Sequence, residues 1–459
     1  MVNTVKNSSE SNVNDQSDNG SIVYVYFVAI VAAIGGLLFG FDTGVISGAI
    51  PFVKDHFALN TLQEGFAVSN LLIGCIIGAS IAGILSDRFG RKKILIAAAL
   101  VFTISAILSA LPRTFLELVF ARFIGGLAVG VASMLSPMYI AEISPAGIRG
   151  RLVALNQFTI VGGILLAYLA NWLLVDIGPH NWRWMFASET FPAVFFFIAL
   201  LFVPESPRWL IKQGKVDKAL AILSRVGGRK HAELEINEIK TMLDREEGTI
   251  SELFKPGLRL VLLVGVLLAI FQQITGINTV IYYAPKIFLK AGYENASSAL
   301  LAQVIVGVTN FIFTIIAIST IDKFGRKPLL MIGLAGMGIS FVLAGFAMHT
   351  STIGATWILI PIIAYVAFFA MSLGPVVWVL LSEIFPTKIR GRAMSIATMV
   401  LWISCFAVAQ TFPWLVEKIE EKTFFMFGGI CVAAFIFVKY MVTETKGKTL
   451  EEIEKMWER

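Results

Sequence analysis

A short charged phrase occurs twice in this chain, each time between two apolar stretches long enough to cross a bilayer. Residues 87–92 read Asp-Arg-Phe-Gly-Arg-Lys, and residues 322–327 read Asp-Lys-Phe-Gly-Arg-Lys. Residues 142–151 and 383–392 repeat a second pattern, in which a glutamate is followed seven residues later by Arg-Gly-Arg. These repeats indicate a duplicated membrane bundle, and two halves around one central site are typical of a transporter.

The composition supports a membrane protein. Of 459 residues, 57% are hydrophobic and 15% are charged, and the mean hydropathy is +0.79. A soluble globular chain averages about 45–50% apolar and about 25% charged residues. A chain this apolar cannot bury its apolar surface in one soluble core, so a soluble enzyme is excluded and no catalytic residues are predicted.

Windows of roughly 20 apolar residues locate the predicted membrane helices. They fall at 24–50, 65–86, 94–111, 116–140, 152–176, 185–204, 259–290, 297–320, 329–349, 355–382, 393–414 and 424–442. The windows are too long for barrel strands and lack their alternation. The predicted fold is an all-α membrane protein with twelve transmembrane helices in two pseudo-symmetric six-helix halves.

The predicted domains follow from these helices and from the polar segments between them. They are a disordered cytoplasmic tail at 1–23, a first half at 24–204, an intracellular amphipathic helical linker at 205–258, a second half at 259–442 and a cytoplasmic tail at 443–459. The short loops after helices 2, 4, 8 and 10 carry more Lys and Arg than those on the other side. Both termini are therefore predicted to be cytoplasmic.

No metal, cofactor or nucleic acid is predicted to bind. The four histidines, His56, His180, His231 and His349, are scattered over loops and helix ends. Residues 447–449 resemble the end of a phosphate-binding loop, but Val442 stands where its first glycine belongs. The net charge of +6 follows from the loop asymmetry.

Two opposite charges lie inside predicted membrane helices. Asp42 follows an apolar run in helix 1, and Arg122 stands near the start of helix 4. Counted from the outer helix ends at 1.5 Å per residue, Asp42 lies about 12 Å deep and Arg122 about 9 Å deep. The two side chains are therefore expected to pair.

A charge at the bilayer centre costs about 2.5–3.5 kcal/mol on insertion scales, so a structural or functional role must offset the cost of this pair. We interpret it as a proton switch, in which Asp42 gains or loses a proton as Arg122 leaves or approaches. A structural ion pair that fixes the helix register is the alternative.

Helix 7 contains a dense cluster of uncharged polar residues. Gln272, Thr275, Thr279 and Tyr282 recur at the spacing of one helical face, and Gly276 can loosen the helix. Amides and phenols both donate and accept hydrogen bonds, which suits a neutral polyol. Some of these amides can alternatively serve only to join helices.

Aromatic side chains accompany this cluster. Phe39 lies beside Asp42, Trp378 follows residues 374–375, and Trp402 lies inside helix 11. Flat rings can cover the apolar face of a pyranose while amides bind its hydroxyls. The Gly-Pro pair at 374–375 predicts a bent helix 10.

These motifs together resemble the sugar porter family of the major facilitator superfamily. The likeness rests on residues 36–50, both charged phrases, 137–151, 204–208, 272–283 and 374–392, and it covers about 24–450. Within the family, residues 134–142 resemble bacterial proton-coupled xylose and glucose transporters. The resemblance implies a monosaccharide:proton symporter that works by alternating access.

The resemblance also implies individual roles. Asp42 would couple transport to protons, with Arg122 as its partner. The expected sugar contacts are Gln157, Gln272, Gln273, Asn278, Tyr282, Asn310, Gly374 and Trp378, with Phe39 and Trp402 as walls. The expected salt bridges of a cytoplasmic gate, closed in the outward-facing state, involve Asp87, Arg91, Glu142, Arg149, Asp322, Arg326, Glu383 and Arg390.

The chain departs from the family pattern at three places. Ile164 and Leu401 stand where some members carry amides, which leaves pentose or hexose open with a slight preference for hexose. Residues 443–445 read Thr-Glu-Thr, where a second Pro-Glu-Ser/Thr motif is expected. A facilitative uniporter and a membrane sugar sensor are the alternative functions. The expected partners are a monosaccharide, protons and the lipid bilayer, and a functional monomer is expected.

Overall fold

A computed structural model describes residues 20–243, 258–349, 356–385, 389–448 and 452. Within these residues the chain is helical, and twelve segments are long and apolar enough to cross a membrane. The prediction of twelve membrane helices is confirmed. We number these segments as spans 1–12 and refer to spans 1–6 as the first half and spans 7–12 as the second half.

The helices of the first half and the linker precede those of the second half in the chain. They are α1 Ile22–Phe57, α2 Thr61–Phe89, α3 Arg91–Ala110, α4 Phe115–Ile143, α5 Arg149–Leu174, α6 Asn181–Ser188, α7 Thr190–Leu201, α8 Pro207–Lys212, α9 Val216–Gly227 and α10 Arg229–Leu243. The second half contains α11 Leu258–Ile274, α12 Ile277–Lys290, α13 Ala296–Phe324, α14 Arg326–His349, α15 Thr356–Met371, α16 Leu373–Ile384, α17 Arg390–Lys418 and α18 Lys422–Met441.

Three spans are each made of two helices. Span 6 is α6 and α7, which meet at Glu189, and span 7 is α11 and α12, which meet at Gly276. Gly276 has φ +98°, a left-handed conformation that glycine adopts without steric cost. Helix breaks inside a membrane are tolerated where protein surrounds them, so these positions mark the interior of the bundle.

Span 10 breaks at Ser372, between α15 and α16, two residues before the predicted Gly-Pro bend. Pro375 is instead the third residue of α16. Its missing N–H falls among the four N-terminal N–H groups that have no partner inside a helix. The first turn of α16 therefore tolerates this proline. The break itself lies at Ser372, where the hydrogen bonding of the helix is interrupted.

Some helices pack against others of their own half, and some pack against helices of the other half. In the first half α1 lies along α5 and α2 along α4, and in the second half α14 lies along α18. Between the halves, α2 contacts α17, α5 contacts α13 and α1 contacts α12. Large apolar side chains such as Phe191, Phe195 and Phe202 are exposed on the outside, as expected for a surface solvated by lipid.

The linker helices lie at the face of the bundle where the chain begins. The backbone N–H of Ser21 donates to the carbonyl of Arg225 in α9 at 2.8 Å, and Trp209 of α8 donates to the carbonyl of Asp87 at 2.9 Å. We call this end of the bundle the termini face and the opposite end the far face. The linker was expected to be helical, and α8, α9 and α10 lie in it, with α10 described as far as Leu243.

Parts of the predicted segments lie outside the described residues. These parts are 1–19 of the first tail, 244–257 of the linker, and 449–451 and 453–459 of the last tail.

Candidate functional site

Asp42 and Arg122 form an ion pair that is buried in the first half. Arg122 Nη1 donates to Asp42 Oδ1, and Arg122 Nη2 donates to the backbone carbonyl of Asp42 at 3.4 Å. The guanidinium also lies over the ring of Phe186, with Cζ 5.6 Å from the ring centroid. α1 supplies the acid, α4 the base and α6 the aromatic ring, so three spans meet at this pair.

Glu189 is a third ionisable residue at this site, and our sequence interpretation missed it. It is buried at the junction of α6 and α7 and interacts electrostatically with Asp42 and Arg122. Among the described residues, neither Glu189 Oε1 nor Arg122 Nε has a hydrogen-bond partner. The signal was available, because Glu189 is an acid inside an apolar span and the insertion cost applied to Asp42 applies to it equally.

The amide side chains predicted to bind sugar are linked at the break of span 7. Gln272 Nε2 donates to the carbonyls of Leu373 and Gly374, at 3.0 and 3.4 Å. Asn278 Nδ2 donates to Gln273 Oε1 at 2.6 Å. These bonds join α11 to both α12 and the start of α16, so two interrupted spans meet at one polar cluster.

The prediction of one continuous polar face on helix 7 is wrong, because the helix is interrupted at Gly276. The hydroxyl of Thr275 donates to the carbonyl of Phe271, and that of Thr279 donates to the carbonyl of Gly276. Both threonines therefore satisfy backbone groups at the break. The amides of Gln272 and Gln273, together with Asn278, form the polar cluster instead.

Cys405 is a second residue that the sequence interpretation did not assign to the site. The amide of Asn278 donates to its Sγ at 3.0 Å, and the thiol is buried in α17. Cys405 of span 11 thus orients the amide of Asn278 in span 7, within the second half. A lone cysteine in an apolar span carries no sequence signal for this role.

The remaining predicted sugar contacts lie on both halves. Phe39 of the first half and Trp402 of the second half are in contact, with ring centroids 5.6 Å apart. Trp402 is buried and its Nε1 has no hydrogen-bond partner within the described part of the chain, which leaves a donor for a bound hydroxyl. Tyr282, Asn310 and Gly374 are buried, and Gln157 and Trp378 are half-buried.

A cluster of charges joins the helix ends at the termini face of the first half. Arg91 donates to Glu142, with Nε 3.0 Å from Oε2, and to Asp87 Oδ1 at 2.9 Å. Glu205 Oε1 accepts from the backbone N–H groups of Arg91 and Lys92, at 2.9 and 3.1 Å. Glu205 therefore caps the N-terminus of α3, where backbone N–H groups favour negative charge.

The second half repeats this arrangement. Arg326 donates to Glu383 at 2.8 Å, and Glu444 accepts from the backbone N–H groups of Arg326 and Lys327 at 3.1 and 3.0 Å. Burial opposes ionisation of Glu444, but four backbone N–H donors outweigh it and hold the pKa of this carboxyl below its usual value. The Thr445 hydroxyl donates to Glu383 as the Ser206 hydroxyl donates to Glu142. The second Pro-Glu-Ser/Thr motif therefore makes the same contacts although position 443 is a threonine and not a proline.

A glycine precedes the capped helix in both clusters. Gly90 and Gly325 have φ +100° and +89°, and a β-carbon there would lie 2.3 and 2.8 Å from the capping carboxylates of Glu205 and Glu444. This is why the charged phrase carries a glycine in each copy.

The predicted gate residues are not all brought together. The Arg91–Glu142 and Arg326–Glu383 pairs each lie within one half, and Arg149 pairs with Glu235 of the linker at 3.7 Å. Arg390 Nε donates to the carbonyl of Phe385 at 3.2 Å. The side chain of Asp322 lies outside what the structure describes.

Hydrogen bonds join the two halves on the far-face side of the site. Gln303 Nε2 donates to Ser47 Oγ at 2.8 Å, and Tyr168 Oη donates to the carbonyl of Ile281 at 2.9 Å. Nearer the far face, Ser69 Oγ donates to Gln410 Oε1 at 2.6 Å. These contacts close the bundle between the site and the far face.

Known proteins similar to this chain agree with this architecture. The family model described as "Sugar (and other) transporter" matches residues 28–457. The arabinose-proton symporter of Bacillus subtilis (strain 168) is 44% identical over 445 residues, covering 95% of this chain and 96% of that protein. The D-xylose-proton symporter of Escherichia coli (strain K12) is 45% identical over 474 residues, with coverage of 95% and 96%.

Solved structures extend the comparison to the backbone. A partially occluded inward open structure of the xylose transporter XylE from E. coli gives a TM-score of 0.84 at 42% identity, covering 93% of this chain and 100% of that chain. XylE bound to 6-bromo-6-deoxy-D-glucose gives 0.78 at 44% identity, with coverage of 95% and 99%. The backbone is thus more similar to the inward open structure, in keeping with the contacts that close the far-face side.

Proposed function

This chain belongs to the sugar transporter family, and from that membership we propose that it is a monosaccharide:proton symporter that imports an aldose by alternating access. It is a multi-pass membrane protein. We place it in the cell inner membrane with both termini and the linker in the cytoplasm, so that the far face is extracellular. The functional unit in this proposal is the monomer in the lipid bilayer.

One observation carries the proton-coupling part of the proposal. The buried Asp42–Arg122 pair lies one helical turn along α1 from Phe39, which contacts Trp402 of the other half. A carboxylate held by one arginine exchanges its charge partner for a proton when the arginine moves away. Movement of α1 against the second half would therefore couple protonation of Asp42 to the closure of the sugar site.

The residues would act in a fixed order. With the far face open, Asp42 takes a proton and releases Arg122, and sugar binds to Gln157, Gln272, Gln273, Asn278, Tyr282, Asn310, Gly374 and Trp378 between the walls Phe39 and Trp402. The halves then rock, and the termini face opens. Sugar and proton leave to the cytoplasm, after which Arg122 pairs with Asp42 again.

The termini-face clusters would act as the cytoplasmic gate. We propose that Asp87, Arg91, Glu142, Arg149, Asp322, Arg326, Glu383 and Arg390 form salt bridges between the halves when the termini face is closed. Salt bridges at helix ends are worth about 0–1 kcal/mol each, so they can break and re-form in every cycle. Pairs within each half, as in Arg91–Glu142 and Arg326–Glu383, would keep these side chains in position while the gate is open.

The sugar is an aldopentose in our proposal, with a hexose as the second candidate. Both relatives described above carry pentose names, arabinose and xylose. The apolar side chains of Ile164 and Leu401, which favoured a hexose at first, are buried. They remove two hydrogen-bonding positions but do not by themselves enlarge the site.

Uptake into proteoliposomes tests the proposal. An imposed pH gradient, acidic outside, should drive concentrative uptake of labelled L-arabinose or D-xylose, with D-glucose taken up less well. A protonophore should collapse the accumulation to the external sugar concentration. Equilibration without concentration under the same gradient would identify a uniporter, and binding without uptake would identify a sensor.

A further inference from the structure

The half-helix α12 carries two of the sugar contacts and ends in a charge that reaches the other half. Asn278, Tyr282 and Lys286 are spaced four residues apart, so they lie along one face of α12. The break at Gly276 separates α12 from α11. Whatever holds the far end of α12 therefore also holds the Asn278 and Tyr282 side chains against the site.

Lys286 is held by an acid of the first half. Its Nζ lies 2.6 Å from Oε1 of Glu64, in the first turn of α2. The side chain of Glu64 is 2% exposed and that of Lys286 is 24% exposed. This ion pair crosses between the halves near the far face, close to the Ser69–Gln410 bond.

Lys54 gives Glu64 a second partner that belongs to its own half. Lys54 Nζ, at the end of α1, lies 2.9 Å from Glu64 Oε2. If the halves separated at the far face, Lys286 would leave with α12 while Lys54 stayed. Glu64 would then still be paired, so opening avoids the large penalty of an uncompensated buried charge.

We propose that Glu64 and Lys286 form a far-face latch that holds α12, and with it the sugar contacts Asn278 and Tyr282, closed against the first half. Lys54 is the resident counter-ion that makes the latch reversible. This inference rests on the alternating access in the proposed function. It assigns opposite effects to two lysines that bind the same carboxylate.

The latch is tested by the accessibility of a cysteine placed at Ser47, which is buried between the site and the far face. The protein is reconstituted in lipid nanodiscs, and the labelling rate of the Ser47→Cys chain with a charged methanethiosulfonate is measured. Lys286→Gln should raise that rate about three- to tenfold, the effect of losing one partly buried ion pair. Lys286→Arg should keep the rate of the parent.

Two matched variants separate the latch from a general loss of charge. Lys290→Gln removes the next lysine of α12, which donates to the Val416 carbonyl within the second half, and should change the rate less than twofold. Lys54→Gln should lower the rate, because opening would then leave Glu64 without a partner. The chain without Ser47→Cys measures labelling of the native cysteines.

The outcomes decide the latch independently of symport. The latch is overturned if Lys286→Gln behaves like Lys290→Gln, or if Lys54→Gln and Lys286→Gln change the rate in the same direction. The parent chain is assayed in parallel for pH-driven accumulation of sugar. Absence of accumulation would overturn symport, while the labelling rates would still decide the latch.

Discussion

The two halves share their charge cluster at the termini face and differ in the membrane interior. Arg91 binds Glu142 in the first half as Arg326 binds Glu383 in the second. Inside the membrane, the first half holds the ionisable side chains of Asp42, Arg122 and Glu189. The second half holds neutral amides and aromatic rings around the breaks of spans 7 and 10.

This difference indicates that the two halves took on different functions after duplication, proton coupling in the first half and sugar binding in the second. The termini-face cluster caps helices and joins spans in both halves, so its chemistry is a requirement of the shared scaffold. The interior carboxyls can exchange protons, and the neutral amides can bind sugar hydroxyls without competing for those protons. Substitutions of the interior carboxyls of the first half should therefore change coupling, and substitutions of the amides of the second half should change sugar affinity.

The largest effect is expected from Asp42→Asn in the first half. A proton motive force of about 100 mV supplies about 2.3 kcal/mol per charge, enough for roughly 50-fold accumulation at one proton per sugar. Asp42→Asn should reduce the accumulation ratio to one, because asparagine cannot carry the proton. Counterflow exchange of labelled sugar should continue, which shows that the variant is folded. Full accumulation by this variant would remove the coupling role of Asp42.

The second prediction concerns the second half. Gln272→Leu removes the donor that holds Leu373 and Gly374 and one predicted sugar contact. Losing polar contacts to a bound hydroxyl should raise the KM for uptake about 10- to 100-fold. The accumulation ratio at saturating sugar should stay near that of the parent. A collapse of accumulation at saturating sugar would mean that the two halves do not divide their tasks.

The sequence predicted the shared part of the two halves better than the part that differs. The charged phrases are local patterns, so helix ends follow from them, whereas the salt bridges at the termini face were expected only from the family resemblance. Glu189 was missed although its position inside an apolar span carries the same signal as that of Asp42. The pairing of Arg149 with Glu235 depends on how the linker folds back, and no local pattern encodes that contact.

Glu189 also provides the third prediction. Its carboxyl lies near Asp42 and Arg122, so Glu189→Gln should remove a competitor for Arg122 and make Asp42 harder to protonate. The pH at which pH-driven uptake is half-maximal should move by about half to one unit in the acidic direction. The same change at Glu420, exposed at the far face, is the control and should leave the profile unchanged. An alkaline shift in the Glu189 variant would contradict the assignment.

The smallest effect is expected on stability, from substitutions of Ser206 and Thr445, which occupy equivalent positions in the two clusters. The Ser206 hydroxyl donates to Glu142 and also accepts from the N–H of Trp209, so it caps α8. The Thr445 hydroxyl donates to Glu383 at 2.6 Å. Ser206→Ala should therefore cost about 2 kcal/mol of stability and Thr445→Val about 1 kcal/mol. Thermal unfolding in one detergent should rank them in that order, and equal losses would mean that capping of α8 contributes nothing to the first half.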